Sequence, residues 1–235
     1  MHDPWKSRVS PQRRLSYFCD MIEFEYTLTD SLEFVERICW QLLNEAVGDS
    51  KMGMHKMIVG SAVNGVASLK TVILRRIDID DKKIYFHSDI RSPKVETIGS
   101  TGHLSWLAYD QERRSQVRLS GKTVVHHQDA LCRGHWEKTA HYSKRCYIQD
   151  FAPGTAVASP QEALKHELEQ FQYTQEESEK GFAHFVVVET RVDWMDWYFT
   201  HNKGNRRAEF RYDDYGRVVE AGWKAPYLDR EIGRM

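Results

Sequence analysis

The stretch KMIVGSAVNGVASLKTVILRR, residues 56–76, decides the fold. Two runs rich in Val, Ile and Leu flank Asn64-Gly65, the dipeptide that most readily takes the positive φ values of a tight two-residue hairpin turn. The same texture continues on both sides. A polar turn at residues 80–83 leads into IYFHS (84–88); HLSWLAYD (103–110) and SQVRLSGKTVVHH (115–127) follow. In the last of these Val117, Leu119 and Gly121 alternate with Gln116, Arg118 and Ser120, the period of a strand with one buried face. Near the C-terminus come HFVVVETRVDWMDWYF (184–199) and the hairpin RAEFRYDDYGRVVEAGW (207–223), which turns at Asp213–Gly216. Consecutive short strands joined by hairpin turns predict a mainly β (α+β) chain, an antiparallel barrel or sandwich.

Helices fill the gaps. Residues 29–47 place Leu32, Val35, Ile38, Cys39, Leu42 and Ala46 on one face, with Thr29 or Asp30 as cap, Glu33 reaching back and Gly48 as stop. Residues 128–139 read as helix and 140–158 as loop. Ser159-Pro160-Gln161-Glu162 has the form of a capping box, predicting a helix through Leu164, Leu168 and Phe171. The organisation expected is an N-terminal tail of uncertain order, 1–20, and one domain, 21–235.

Of 235 residues, 33 are Lys or Arg and 34 are Asp or Glu, so no net charge points to nucleic acid or an anionic membrane, and any anion site must be local. The start, MHDPWKSRVS, lacks an apolar core for a signal peptide, and the most apolar run, Met57 to Leu74, is broken by Asn64, Gly65 and Lys70, so no membrane span is expected. Cys19, Cys39, Cys132 and Cys146 form no C-x-x-C pair and read as reduced thiols of a cytoplasmic protein. No histidine lies in H-E-x-x-H, and His126-His127 would face opposite sides of a strand; no metal site is expected.

Three polar clusters remain. Lys70-Thr71 and Arg75 lie along one strand, where positions five apart face opposite sides unless the strand bends. Arg91-Ser92-Pro93-Lys94 sets two cations and a hydroxyl where a strand gives way to a helix, whose free N–H groups and positive dipole end suit a phosphate. Gln116 is a long amide on an otherwise apolar strand. By residue type alone each is more often a solvated turn or surface position than a ligand site, Trp194 and Trp197 are core or interface aromatics, and Arg206-Arg207 is a surface pair.

Their order along the chain is more specific. KTVILRR, IYFHSDIRSPKVETI, LSWLAYD, RRSQVRLSGKTV, VDWMDWYF, RRAEFRY and GW in succession resemble the pyridoxamine 5'-phosphate oxidase-like FMN-binding family over residues 30–225. The resemblance implies an FMN-binding split β-barrel with flanking helices, and a homodimer with FMN sites at its interface. It also implies an oxidoreductase passing hydride or electrons through FMN to or from a small-molecule substrate. Carried over by position, Lys70, Thr71 and Val72 line the flavin or its ribityl chain, and Arg75 approaches the flavin or phosphate. Phe86 and His87 stand at the family's Tyr-Thr. Ser92 and Lys94 hold the phosphate with Arg91 as an added cation, while Gln116, Trp197 and Arg207 complete the site. The chain also departs from the pattern. Lys70 replaces an arginine, Pro93 replaces the arginine before the motif lysine, and Lys203 and Asn205 stand where the oxidase proper has the R-x-H pair that holds its phosphorylated substrate. The cofactor side is kept and the substrate side altered. The alternatives are therefore the oxidase proper, with Lys203 at the substrate phosphate, or a non-catalytic FMN- or haem-binding protein with His87 in the cleft.

Overall fold

The computed structural model describes residues 29–226 except 64 and 165, so the expected tail lies outside the described residues. Helix α1 (Leu32–Gly48) buries Val35, Cys39, Trp40, Leu42, Leu43 and Ala46. Its cap is Ser31 rather than Thr29 or Asp30. Ser31 is the last residue with extended backbone, and its hydroxyl accepts from the Phe34 amide at 3.2 Å.

The hairpin forms as the sequence requires: β1 (Lys56–Val63) pairs with β2 (Val66–Ile73) around Gly65, whose φ is +78°. Then come β3 (Arg76–Asp78), β4 (Lys83–Asp89), helix α2 (Pro93–Thr101), β5 (His103–Asp110) and β6 (Ser115–His127). After the helices described below follow β7 (Phe185–Phe199), β8 (Arg206–Tyr212) and β9 (Val218–Trp223). The path β2-β1-β5-β6-β7-β4-β3 is antiparallel at each pairing. Strand β7 is long enough to serve two neighbours. Its first half, Phe185–Arg191, pairs with β4, and its second half, Trp194–Phe199, with β8. One branch curls into a barrel and the other becomes the β8–β9 hairpin. The sheet also slips register at Ser120/Gly121. A Cβ on Gly121 would stand 1.9 Å from the Arg191 carbonyl oxygen, so the glycine is what allows β6 and β7 to meet there.

The barrel interior holds Phe86 edge-on to Trp106, with centroids 5.4 Å apart, among Leu74, Ile84, Val117, Leu119 and Met195. Each buried indole finds a partner for its N–H: Trp106 on Thr190 Oγ1 (3.1 Å), Trp197 on Ser115 Oγ (2.9 Å) and Trp40 on the Tyr212 hydroxyl (3.0 Å). A second cluster, Tyr85, Cys132, Trp136, Phe185 and Val187, lies on the outer side of β4 and β7 under helix α3 (Ala130–Lys138).

Two sequence expectations change here. The segment read as a loop contains helix α4 (His141–Lys144) and a 3-10 turn, Arg145–Tyr147. The long helix expected from Ser159 is instead two short ones, α5 (Pro160–Ala163) and α6 (His166–Glu169), separated at Leu164, which is extended. Of its supposed apolar stripe Leu168 is buried while Phe171 is 49% exposed at φ +57°, so no continuous face exists to hold a longer helix. Ser159 makes no capping bond; the capping box lies at Thr174–Glu177, opening α7 (Gln175–Glu179).

The face of β1, β2, β5 and β6 turned away from the barrel interior carries Ile58 (38% exposed), Leu69 (63%) and Tyr109 (51%) beside Gln116 and Arg118. Among the described residues no helix is long and apolar enough to cross a membrane.

Candidate functional site

Strands β2 and β4 run beside each other without pairing, and the chain crosses that seam at Leu74–Arg75. There the Leu74 amide donates to the His55 carbonyl and the Arg75 amide to the Tyr85 carbonyl, both at 2.9 Å. Beyond the seam β4 runs into α2, whose first residue is Pro93 and whose N-cap position is Ser92. Ser92 is 6% exposed, yet its side chain does not cap the helix. Pro93 has no N–H, the Val95 amide bonds the Ser92 carbonyl, and the amide of Lys94 is left at the positive end of the helix without a side-chain acceptor.

The cations here divide into two kinds. Arg91 is committed: it grips the buried Asp89 with Nε at 2.9 Å from Oδ1 and Nη2 at 2.7 Å from Oδ2, and its Nη1 donates to the Gln149 carbonyl at 2.9 Å. The hydrogen bond to Asp89 raises the Arg91 pKa further above its ordinary value. Lys70, Arg75 and Lys94 form no ion pair among the described residues. Lys94 is partly buried, and burial holds its pKa below the usual lysine value; the positive charge of Lys70 pushes the same way and Asp89 pushes against it. Two ammonium groups that act on each other electrostatically and have no ion pair among the described residues, with an uncapped helix start in the same region, have the chemistry that suits an anion.

The other expected residues are distributed by strand parity. Val72 and Phe86 face the barrel interior, as does Trp197, which stacks on Phe199. Thr71 and Gln116 lie on the opposite, open face: Thr71 is paired with Ile58, and Gln116 stands between Tyr109 and Tyr198. Arg207 is on that face too, with Nε at 2.6 Å from Asp196, whose other oxygen accepts from Arg118 at 2.9 Å. Asn205, in the β7–β8 loop, donates to the Tyr198 hydroxyl (2.8 Å) and accepts from the His201 amide (3.1 Å); Lys203 in the same loop is exposed.

His87 points outward beneath α3. Its Nε2 lies 2.9 Å from His135 Nδ1, and its ring meets Phe185 edge-on at 4.7 Å. Burial, then His135 and Arg75, hold its pKa well below 6.5, and burial with Arg76 and Lys138 lowers that of His135 to about 4. The pair is neutral at neutral pH. Asp89 and His135 join the expected residues: the D-x-R spacing of Asp89 and Arg91 is a usable local signal, whereas nothing near His135 in the sequence announces its bond to His87.

Residues 41–127 match the family model for pyridoxamine 5'-phosphate oxidase, FMN-binding domain. This stretch runs from inside α1 to the end of β6, and it is similar to the FMN-binding domain of pyridoxamine 5'-phosphate oxidase. The fold is that of a pyridoxamine 5'-phosphate oxidase-related, FMN binding protein from Nostoc punctiforme PCC 73102. That likeness has a TM-score of 0.63 at 14% identity and covers 93% of this chain and 100% of that one. PhzG from Burkholderia lata 383, in complex with tetrahydrophenazine-1-carboxylic acid, is similar with a TM-score of 0.57 at 14% identity, over 96% of this chain and 98% of that one. No curated protein sequence matches the chain.

Proposed function

We propose that this protein is an FMN-dependent oxidoreductase that moves hydride or electrons between the flavin and a small molecule. The observation that carries the reading is the pair Lys70 and Lys94, without counter-ions, at the uncapped start of α2 within a domain of FMN-binding type. Lys70, Lys94, Ser92 and the first-turn amide would hold the phosphate, with Arg75 adding positive potential. Bound FMN would supply the hydride and electron chemistry, and the chain would bind, orient and tune it.

The same reading favours a homodimer. Thr71, Gln116 and Arg207 lie on the sheet face opposite the one that carries Val72 and Trp197, so one protomer does not gather all the expected residues around one ligand. Pairing through the open face, with Ile58, Leu69 and Tyr109 at its centre, would bury an apolar patch and bring a second copy's polar residues to each site. The locked Asn205 supports a substrate other than a phosphorylated pyridoxamine. The His87–His135 bond engages His87 Nε2, so that nitrogen is not free for a haem iron. The test is a visible absorption scan of the purified protein followed by FMN titration. A flavin band and saturable binding are expected, and a colourless protein that takes up no FMN would overturn the reading.

A further inference from the structure

Away from the start of α2, the open face of the sheet carries a second cationic cluster, built on Asp196. This residue lies on β7, facing away from the barrel interior, yet is only 1% exposed. Two arginines close over it. Arg118, its register partner on β6, donates from Nε to Oδ2 at 2.9 Å. Arg207 on β8, in register with Tyr198, reaches back diagonally and donates from Nε to Oδ1 at 2.6 Å. Each guanidinium thus uses Nε on the shared carboxylate, and the Nη groups of both make no hydrogen bond among the described residues. Arg118 also lies over the Trp194 ring at 5.3 Å, which restrains its plane. Arg207 Nη2 comes within 3.8 Å of Glu209, which is itself paired with Lys224 at 3.2 Å. Three cations therefore share two carboxylates, and the cluster keeps a positive charge. The contrast with Arg91 is direct. There one guanidinium closes Nε and Nη2 onto one carboxylate, and the pair is close to neutral. Here one arginine would have neutralised Asp196, and two are aligned on it, with side chains 42% (Arg118) and 31% (Arg207) exposed. The free N–H edges of two such guanidiniums match the oxygens of a carboxylate or phosphate.

We propose that Arg118 and Arg207, aligned by Asp196, form a binding site for an oxyanion, the carboxylate or phosphate group of a small molecule, on the open face of the sheet. The two guanidiniums are the ligands and Asp196 is the positioning residue. The inference goes beyond the FMN reading: neither Arg118 nor Asp196 is among the residues expected from the resemblance, and the site does not depend on what Lys94 holds.

The experiment titrates the full chain with inorganic phosphate and, separately, with acetate, followed by broadening of the anion's own phosphorus or carbon NMR signal. Wild type, Lys94→Ala, Arg118→Gln and Asp196→Asn are compared. Saturable binding is expected to survive Lys94→Ala and to weaken about tenfold or more in Arg118→Gln, the worth of one charge-assisted contact. Whichever anion binds more tightly identifies the group the site takes. Asp196→Asn makes the cluster more positive, yet weaker binding is expected because the guanidiniums lose their common anchor; tighter binding would overturn the positioning role. Should that variant fail to fold, Arg118→Gln alone decides. Binding lost in Lys94→Ala and kept in Arg118→Gln would overturn this inference and leave the FMN reading standing. Absence of saturable binding of either anion would also overturn it, and a lower molar mass of Arg118→Gln by light scattering would then assign the site to a carboxylate of a second copy. If the anions bind as expected but wild type takes up no FMN, only the FMN reading fails.

Discussion

Lys94→Ala separates an anion seat from an ordinary surface lysine, because it acts with opposite sign on the empty fold and on the complex. In the empty fold Lys94 is partly buried, has no ion pair among the described residues, and feels Lys70 as a like charge. Two like charges several ångströms apart at an effective dielectric near 20 repel by roughly 1–3 kcal/mol, and partial exposure reduces this to about 1 or less. Removing Lys94 should therefore leave the empty protein unchanged or stabilise it by up to about 1 kcal/mol, a rise of at most about 2–4 °C in Tm for a domain of this size. With phosphate bound, the same substitution deletes a charge-assisted contact worth about 1.5–3 kcal/mol, raising the FMN Kd about ten- to a hundredfold. The assay is thermal unfolding with and without FMN. At a concentration a hundred times the wild-type Kd, wild type gains about 2.7 kcal/mol, while a variant weakened a hundredfold gains only about 0.4 kcal/mol. The pH dependence follows from the lowered Lys94 pKa. As pH rises from that value towards the unfolded value near 10.5, the empty fold gains stability and FMN affinity falls, because the charge that resisted burial is the one that binds the phosphate. A variant whose empty fold is clearly destabilised, or whose FMN-induced stabilisation equals wild type, would refute the reasoning.

The remaining expectations concern the rest of the molecule. His87 and His135 both have pKa values below 6.5 in the fold, so the unfolded chain takes up protons first as pH falls. Stability present above about pH 6.5 should then decline by about 1–2 kcal/mol as pH falls towards 4; urea midpoints across that range should show it, with a shallower slope in His135→Gln. Gly121→Ala should cost about 3 kcal/mol or more, since its Cβ would collide with the Arg191 carbonyl oxygen at 1.9 Å; a urea midpoint like wild type would mean that the bulge relaxes freely. Leu69→Glu, on the open face, should halve the molar mass measured by light scattering, leaving a species near 27.6 kDa, if that face pairs two copies.

Strand identity was legible because its signals are local: Asn64-Gly65 marks one turn, Asp213–Gly216 another, and alternation marks β6. The double duty of β7 was not, since fifteen residues of near-continuous strand give no hint that the partner changes midway from β4 to β8. At the site the limit is parity. Lys70 and Thr71 are neighbours in the motif but project to opposite faces, and so do Phe86 and His87; an ordered motif specifies a family-type site without specifying which side each residue serves. His135 and Gln149 lie 48 and 58 positions beyond the residues they bond, His87 and Arg91, a separation that no local pattern encodes.

Arg91 shows why counting cations in a sequence misjudges an anion site. By composition it is the strongest phosphate binder of its stretch, with a planar fork that matches an oxyanion better than an ammonium does. In the fold that fork already holds the Asp89 carboxylate, so the pair is close to neutral towards a third group. Lys94, the weaker binder by chemistry, makes no ion pair with a carboxylate among the described residues, and Asp89 acts on it only at longer range. The opposite pKa shifts of the two groups record this: Arg91 is raised by its partner, and Lys94 is lowered by burial and Lys70. A seat that holds an anion reversibly needs charge left unsatisfied, and a rigid frame to keep that charge from finding a protein partner. On the proposed reading Arg91, fastened to Asp89 and to the Gln149 carbonyl, would supply the frame, and Lys70 and Lys94 the charge.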